Sequence, residues 1–161
     1  MLNGKRIERR IMKTRIDFVT NSSSSSFVIA YKDSFNFDKE DIDKYPFLEA
    51  YNRVVKAVLD SYDSYGDTDT DAADVFNNQQ EFDAWFVDNY SYTYGEENCS
   101  TIESIIKDDT YLKNLYTKCT KYIDAGYKIA LKRVDYNDNA LAATIKIIAQ
   151  DNDNFIILED E

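Results

Sequence analysis

The sequence predicts an α+β fold with a single small sheet, made of an N-terminal strand pair, two to three amphipathic helices and a C-terminal strand-helix-strand unit. Long central stretches repeat apolar residues at helical spacing, and short runs rich in β-formers lie near both ends. The chain has only 4 Gly and 1 Pro, too few for a turn-dense all-β protein. Its 161 residues, 43% of them hydrophobic, suffice for one domain with a sizeable core.

The first dozen residues differ from the rest of the chain. They are basic, they show no apolar periodicity, and Met12 begins a second Met-Lys start. We predict that residues 1–12 are a non-native or flexible extension and that residues 13–161 form a single α+β domain. Translation from Met1 or from Met12 remains open at this stage.

The N-terminal strand pair is predicted from two runs of β-formers, residues 15–19 and 27–31. Thr20, Asn21 and five consecutive serines, Ser22 to Ser26, separate them. Two strands joined by a polar serine loop is the simplest interpretation.

A first helix is predicted to begin at Pro46, because a proline in the first turn sacrifices no helical hydrogen bond. Its apolar positions repeat with a period of 3.6 and predict one continuous buried face: Phe47, Leu48, Tyr51, Val54, Val55, Val58, Leu59 and Tyr62. Residues 63–74 carry five aspartates with Gly66, which indicates an acidic loop.

A second helix is predicted over residues 78–90, with Asn77 and Gln80 as a capping box. Its buried face consists of Phe82, Trp85, Phe86 and Tyr90. Residues 91–98 are expected to form a polar connection. A third helix is predicted to open with the capping box Ser100 and Glu103, to kink near residues 108–109 and to stop at Gly126. Its buried side comprises Ile102, Ile105, Ile106, Leu112, Leu115, Tyr116, Cys119, Tyr122 and Ile123.

The C-terminal unit is predicted as a strand over residues 127–134, a helix capped by Asp138 and a strand over residues 155–158. A right-handed crossover would make the two strands parallel. Residues 144–149 allow an alternative, a strand hairpinned to residues 155–159. The alanine-rich residues 140–143 favour the helix.

Charge is the strongest functional signal in the sequence. The net charge of −11 weighs against direct binding to nucleic acid or to an anionic membrane. Residues 57–106 contain no Lys or Arg but twelve acids. An acidic surface that also carries tyrosines can compete with nucleic acid for a basic groove that binds phosphates. The residues predicted to bind a partner are Asp60, Tyr62, Asp63, Tyr65, Asp67, Asp69, Asp71, Asp74, Glu96 and Glu97.

Several site chemistries are disfavoured. The chain has no His, which excludes Ser-His-Asp and Cys-His catalysis. Asp67, Asp69 and Asp71 alternate like the start of a calcium loop, but Ala72 stands at the glycine position and Asn78 at that of the closing Glu. We therefore expect no catalytic residues, no metal and no cofactor.

The compartment is predicted from the start of the chain and its two cysteines. No apolar secretory stretch follows the basic start, and no apolar run is long enough to span a bilayer. We expect a cytoplasmic protein in which Cys99 and Cys119 are reduced.

The segment Arg15-Ile16-Asp17-Phe18-Val19-Thr20-Asn21, with the five serines and Phe27, resembles the N-terminal signature of a loose group of uncharacterised small proteins from Firmicutes and their phages. In that group the signature follows an initiator Met-Lys, which agrees with a start at Met12. The resemblance covers only this segment and implies neither a known activity nor catalytic residues.

The predicted function is that of a non-enzymatic acidic interaction protein. The signature favours a phage-encoded inhibitor that blocks the nucleic-acid-binding surface of a host defence protein by mimicry. One alternative is a bacterial immunity or regulatory partner of a basic nuclease toxin. A weak alternative is a NAD-using enzyme similar to ADP-ribosyltransferases, with Arg15, the serine run and the acids Glu159 and Glu161 in the required order.

Overall fold

A computed structural model describes residues 24–32, 39–63, 70–94 and 97–160. Its elements in chain order are β1 (Ser24–Tyr31), α1 (Lys39–Lys44), α2 (Phe47–Asp60), β2 (Asp74–Phe76), α3 (Gln79–Tyr90), β3 (Tyr92–Tyr94), β4 (Glu97–Cys99), α4 (Ile102–Ile106), α5 (Thr110–Asp124), β5 (Lys128–Asp135), α6 (Asn139–Ala149) and β6 (Phe155–Asp160). The predicted α+β class is confirmed. The extension predicted for residues 1–12 lies outside the described ranges.

The main sheet has four antiparallel strands in the order β2-β5-β1-β6. β1 is an internal strand because it pairs with β5 on one side and with β6 on the other, and both of these neighbours come from the C-terminal part of the chain. β5 and β6 run in the same direction, as a crossover through α6 predicts, but β1 separates them. The predicted first strand, residues 15–19, lies outside the described ranges.

The serine run is partly strand. Ser24 to Ser26 belong to β1 and pair with Asp135 to Arg133 of β5, so the prediction of a loop through Ser26 is wrong. Serine has little β preference by itself, and the ladder with β5 supplies the hydrogen bonds that hold it extended. The sequence also predicts a loop at Asp74, but Asp74 begins β2 and pairs with Leu131.

Helices cover both faces of the sheet. α3, α4 and α5 pack on one face, where Val28 and Ile129 meet Phe82, Phe86 and Leu115. α2 and α6 pack on the other face, where Ile29 and Phe155 meet residues of both helices. The side chains of residues 27–30 are fully buried because β1 is covered on both faces. A central strand of this kind appears in the sequence as an unbroken apolar run.

The buried face of α2 is narrower than predicted. Val55, Val58 and Leu59 are buried, but Phe47, Val54 and Tyr62 are 64%, 45% and 65% exposed. α2 packs on the sheet with only part of its apolar circumference, which periodicity cannot reveal. Two ion pairs, Arg53–Glu49 and Lys56–Asp60, lie on its outer side.

The helix caps differ from the predicted ones by one residue. Asn78, not Asn77, caps α3: its Oδ1 accepts from the Glu81 N–H at 3.0 Å, and Glu81, not Gln80, accepts from the Asn77 N–H at 2.7 Å. The hydrogen bonds that the backbone and side chain of Asn77 donate to the Glu81 carboxylate lower the pKa of Glu81. Thr101 and Ser104 likewise replace Ser100 and Glu103 at the start of α4. Several polar residues precede each helix, so short-range patterns fit more than one register.

The long third helix is two helices, since the predicted kink is a complete break. Residues 107–109 separate α4 from α5, and the Asp109 carboxylate caps α5 by accepting from the Leu112 N–H at 2.9 Å. The predicted buried side is confirmed across both helices. Gly126 follows α5 with φ +86°, the left-handed conformation that favours glycine at a helix end.

The two remaining connections are resolved by the structure. The polar segment after α3 is not an irregular connection but the hairpin β3–β4, with Tyr92 paired to Cys99. Residues 144–149 belong to helix α6, which confirms the favoured alternative. Asp138 precedes α6, but its side chain forms no capping bond there. No helix in the described ranges is long and apolar enough to cross a membrane.

Candidate functional site

The segment without basic residues, residues 57–106, is called here the acid-only segment. It contributes β2, α3, the β3–β4 hairpin and α4. α3 and α4 share one face of the sheet with α5, which carries Lys113, Lys118 and Lys121. The helical layer on this face is therefore divided by charge, with carboxylates on α3 and α4 and lysines on α5.

The structure describes six of the ten predicted partner-binding residues. Tyr62 is exposed after α2, Asp74 begins β2, and Glu97 is exposed at the start of β4. The backbone N–H of Asp63 donates to Thr70 O at 3.0 Å. Tyr65, Asp67, Asp69 and Glu96 lie outside the described residues.

Two of the predicted acids are paired within the molecule. The Asp60 carboxylate accepts from Lys56 Nζ at 2.6 Å, and Asp71 accepts from the Arg133 guanidinium, with Nε at 3.0 Å. Both pairs are exposed and contribute little to stability. They do reduce the negative charge that Asp60 and Asp71 offer to a partner.

Other acids of the segment, which the predicted site did not include, differ in availability. Asp83 accepts from Gln79 Nε2 at 2.6 Å and from Tyr116 OH at 2.9 Å, and burial together with this contact raises the pKa of Tyr116. Asp88 and Glu103 are exposed and have no basic partner among the described residues. The absence of Lys and Arg from residues 57–106 is the sequence signal that would have identified Asp88 and Glu103 as candidate partner-binding residues.

A cleft of about 310 Å³ opens beside the start of β2. Its floor is formed by the paired residues Ser26 and Arg133 and by Leu131. Asp71, Ala72 and Asp74 form one wall, and the C-terminal half of α3 supplies Trp85, Asn89 and Tyr90 on the other. The structure thus brings two of the predicted acids together with aromatic residues that the sequence assigned to the core.

Lys132 lies beneath this cleft and is 1% exposed. Its ammonium donates to three backbone oxygens: Leu59 O at 3.5 Å, Asp71 O at 2.5 Å and Ser61 O. Burial lowers the pKa of Lys132 to about 8, opposed by the carboxylates of Asp71, Asp138 and Asp60. Lys132 alternates with Ala130 and Val134 on the buried side of β5, so strand periodicity was the signal that could have found it.

Lys132 and Thr70 together fix the segment that leads into β2. The Thr70 hydroxyl donates to Asp138 Oδ2 at 3.0 Å and accepts from the Asp135 N–H at 2.9 Å. Because Lys132 joins carbonyls at the end of α2 to the carbonyl of Asp71, the position of Asp71 and Asp74 depends on these buried contacts.

Cys99, Cys119 and Glu159 are engaged in the packing and pairing of the described part of the chain. Cys99 and Cys119 are both buried and free, and burial raises the pKa of Cys119 to about 12, which leaves its thiol protonated and unreactive. Tyr92 donates to Cys99, and this bond raises the pKa of Tyr92 to about 12. Glu159 forms an ion pair with Lys118 at 2.5 Å, whereas Arg15 and Glu161 lie outside the described residues.

Comparison of the chain with protein-family models, with curated proteins and with solved structures finds no match.

Proposed function

We propose that the protein is a non-enzymatic binding protein whose acid-only segment occupies a basic surface of a partner protein. The observation that supports this proposal is the separation of charge: residues 57–106 hold twelve acids and no base. Within the described part of this segment, α3 and α4 pack side by side on one face of the sheet. The carboxylates of this segment therefore lie on neighbouring elements, with no basic residue of the segment between them.

The proposed mechanism is imitation of a nucleic-acid backbone. Carboxylates three or four residues apart on a helix lie about 5–6 Å apart, a spacing that can engage a groove lined with Lys and Arg. Asp88, Glu97 and Glu103 lie on α3, the hairpin and α4, are exposed and have no basic partner among the described residues. They are the carboxylates best placed to make such contacts.

The partner we propose is a nucleic-acid-binding host defence protein, and the chain would be its phage-encoded inhibitor. This finer assignment is supported by the resemblance of residues 15–27 to a signature shared by small proteins of Firmicutes and their phages. An immunity protein for a basic nuclease toxin would use the same acidic surface, so the identity of the partner distinguishes the two.

A matched pair of triple variants tests the proposal. The test variant carries Asp88→Asn, Glu97→Gln and Glu103→Gln, and the control carries Asp124→Asn, Asp151→Asn and Asp153→Asn. Each variant loses three exposed carboxylates, but the control loses them outside the acid-only segment.

The assay uses heparin-binding proteins from a Firmicutes lysate. Each is purified after capture on the immobilised chain and then loaded with a labelled DNA duplex. We expect the wild type and the control to displace the duplex, and the test variant to need about tenfold more protein, which corresponds to about 1.4 kcal/mol. Equal potency of the two variants, or failure of the wild type to displace DNA from any captured protein, would contradict the proposal.

A further inference from the structure

The cleft between the start of β2 and the C-terminal half of α3 holds hydrogen-bond acceptors that lack donors. Asp74 has no basic partner among the described residues, although it lines the cleft. Asn89 Nδ2 donates to Trp85 O at 2.8 Å, which leaves Asn89 Oδ1 as a further acceptor. Ser26 is a buried residue, and its hydroxyl forms no hydrogen bond within the described ranges. The three groups come from three different elements and line one space.

The cations that line the cleft are already engaged. Arg133 donates to Asp71 through Nε and Nη2, and the Lys132 ammonium is surrounded by three backbone oxygens. Asp74 is therefore the charge in the cleft that is left without an opposite partner in the described structure. A cationic ligand would pair with the Asp74 carboxylate in this cleft, whereas an anionic ligand would be repelled by it.

An aromatic wall is held rigidly beside these acceptors. The Trp85 indole packs against Phe76 at 5.3 Å and Phe82 at 5.9 Å, and Tyr90 meets it edge-on at 5.6 Å and 88°. Trp is the best partner for a cation over an aromatic face, and a planar guanidinium also stacks on it. A guanidinium carries five N–H donors in a fixed fork, which suits several acceptors better than a single ammonium does.

We infer that this cleft is the socket for an arginine side chain of the partner protein. The inference rests on the proposed function, because it supplies the anchor residue with which a basic partner docks. The guanidinium pairs with the Asp74 carboxylate, stacks on Trp85 and donates to Asn89 Oδ1 and Ser26 Oγ. Anchors of this kind, a charged side chain in a pocket beside an aromatic ring, carry a large part of the energy of many interfaces.

Trp85 makes the cleft directly observable because it is the only tryptophan in the chain. The wild type is titrated with the peptide acetyl-Gly-Arg-Gly-amide at constant ionic strength, and the emission of Trp85 is followed. We expect a saturable change, and a several-fold weaker affinity for the same peptide with Lys in place of Arg. A change that never saturates, or equal affinity for the two peptides, overturns the inference.

Two single variants separate the cleft from the general charge of the molecule. Asp74→Asn removes the carboxylate inside the cleft, and Asp124→Asn removes an exposed one outside both the cleft and the acid-only segment. We expect Asp74→Asn to weaken binding of the arginine peptide about tenfold and Asp124→Asn to leave it unchanged. An equal loss in both variants would show that only the overall charge attracts the peptide and would overturn the assignment of the cleft.

The partner identified in the displacement assay separates this inference from the proposed function. If Asp74→Asn keeps full affinity for the partner while the Asp88, Glu97 and Glu103 variant loses it, the socket is overturned and the acidic surface stands. If only Asp74→Asn loses affinity, the socket is supported and the wider surface is overturned. The midpoint of thermal unfolding of each variant shows that it is folded.

Discussion

Among single residues, Lys132 has the most unusual environment. A fully buried ammonium is costly unless it is hydrogen-bonded, and here three backbone oxygens accept from it. Two of them, Leu59 O and Ser61 O, lie at the end of α2, where the carbonyls have no helical partner. The third, Asp71 O, lies in the segment that leads into β2. Lys132 thus joins the end of α2 to the segment that positions Asp71 and Asp74.

Replacement of Lys132 by Met tests this role. Lys132→Met removes the ammonium from Ser61 O and Asp71 O, whereas Leu59 O keeps the Ala73 N–H at 2.7 Å, so we expect the free energy of unfolding at neutral pH to fall by about 1–3 kcal/mol. The folded-state pKa, about 8, lies below the ordinary value of 10.5. The unfolded chain therefore binds more protons between these two values, and this residue's contribution to stability rises as the pH increases through that window.

The measurement is urea unfolding of the wild type and of Lys132→Met at several pH values across that window. The stability difference between them should grow with pH by at most about 1.4 kcal/mol per unit. The two proteins differ only at residue 132, so the comparison isolates the contribution of Lys132. A difference that stays constant with pH would contradict the lowered pKa.

Among the elements, α3 connects the fold to the candidate site. Its N-terminus is fixed by Asn78 and Glu81, its inner face inserts Phe82 and Phe86 into the core, and its C-terminal half forms a wall of the cleft. Its hydrogen-bonded start and its fully buried face together determine where Trp85 and Asn89 lie.

The cap of α3 provides an element-scale prediction. Asn78→Ala should lower the free energy of unfolding by about 1 kcal/mol, because the Glu81 N–H loses its acceptor at the helix start. Gln80→Ala is the control, since Gln80 is exposed and is the cap partner that the sequence pattern favoured. Chemical denaturation of both variants measures the two values. A larger loss for Gln80→Ala would place the cap where the sequence pattern put it.

At the scale of the whole molecule, the net charge of −11 opposes the compact state. The described ion pairs relieve only part of this repulsion. Lys118–Glu159 and Lys146–Asp160 hold acids of β6 against α5 and α6, whereas α3 and α4 carry no basic residue. Repulsion among the carboxylates of α3 and α4 is therefore not relieved by a basic residue on either helix.

Salt should therefore stabilise the protein. We expect the midpoint of thermal unfolding to rise by about 3 °C or more between low and physiological NaCl, because screening weakens repulsion among the carboxylates. The variant with Asp88→Asn, Glu97→Gln and Glu103→Gln should show a smaller rise. Differential scanning calorimetry measures both. A midpoint that falls with salt would mean that the ion pairs outweigh the repulsion.

The sequence alone predicted the features that depend on local periodicity and on charge. The buried face of α3, the apolar side shared by α4 and α5, and the helical state of residues 144–149 follow from patterns within one element. The acid-only segment can likewise be recognised from the sequence alone. One-residue errors in the caps arose because neighbouring polar residues fit the same pattern equally well.

Only the tertiary structure decided which segments meet. The sheet order places β1 between the two C-terminal strands, and those pairings hold Ser24 to Ser26 in a strand despite their low β preference. The cleft combines residues of β1, β2, α3 and β5, and the Asp71–Arg133 pair joins residues that are far apart in the chain. Contacts between distant residues depend on how the elements pack and not on the order of neighbours. For this reason the sequence determined the acidic character of the protein, and the fold determined which carboxylates are left for a partner.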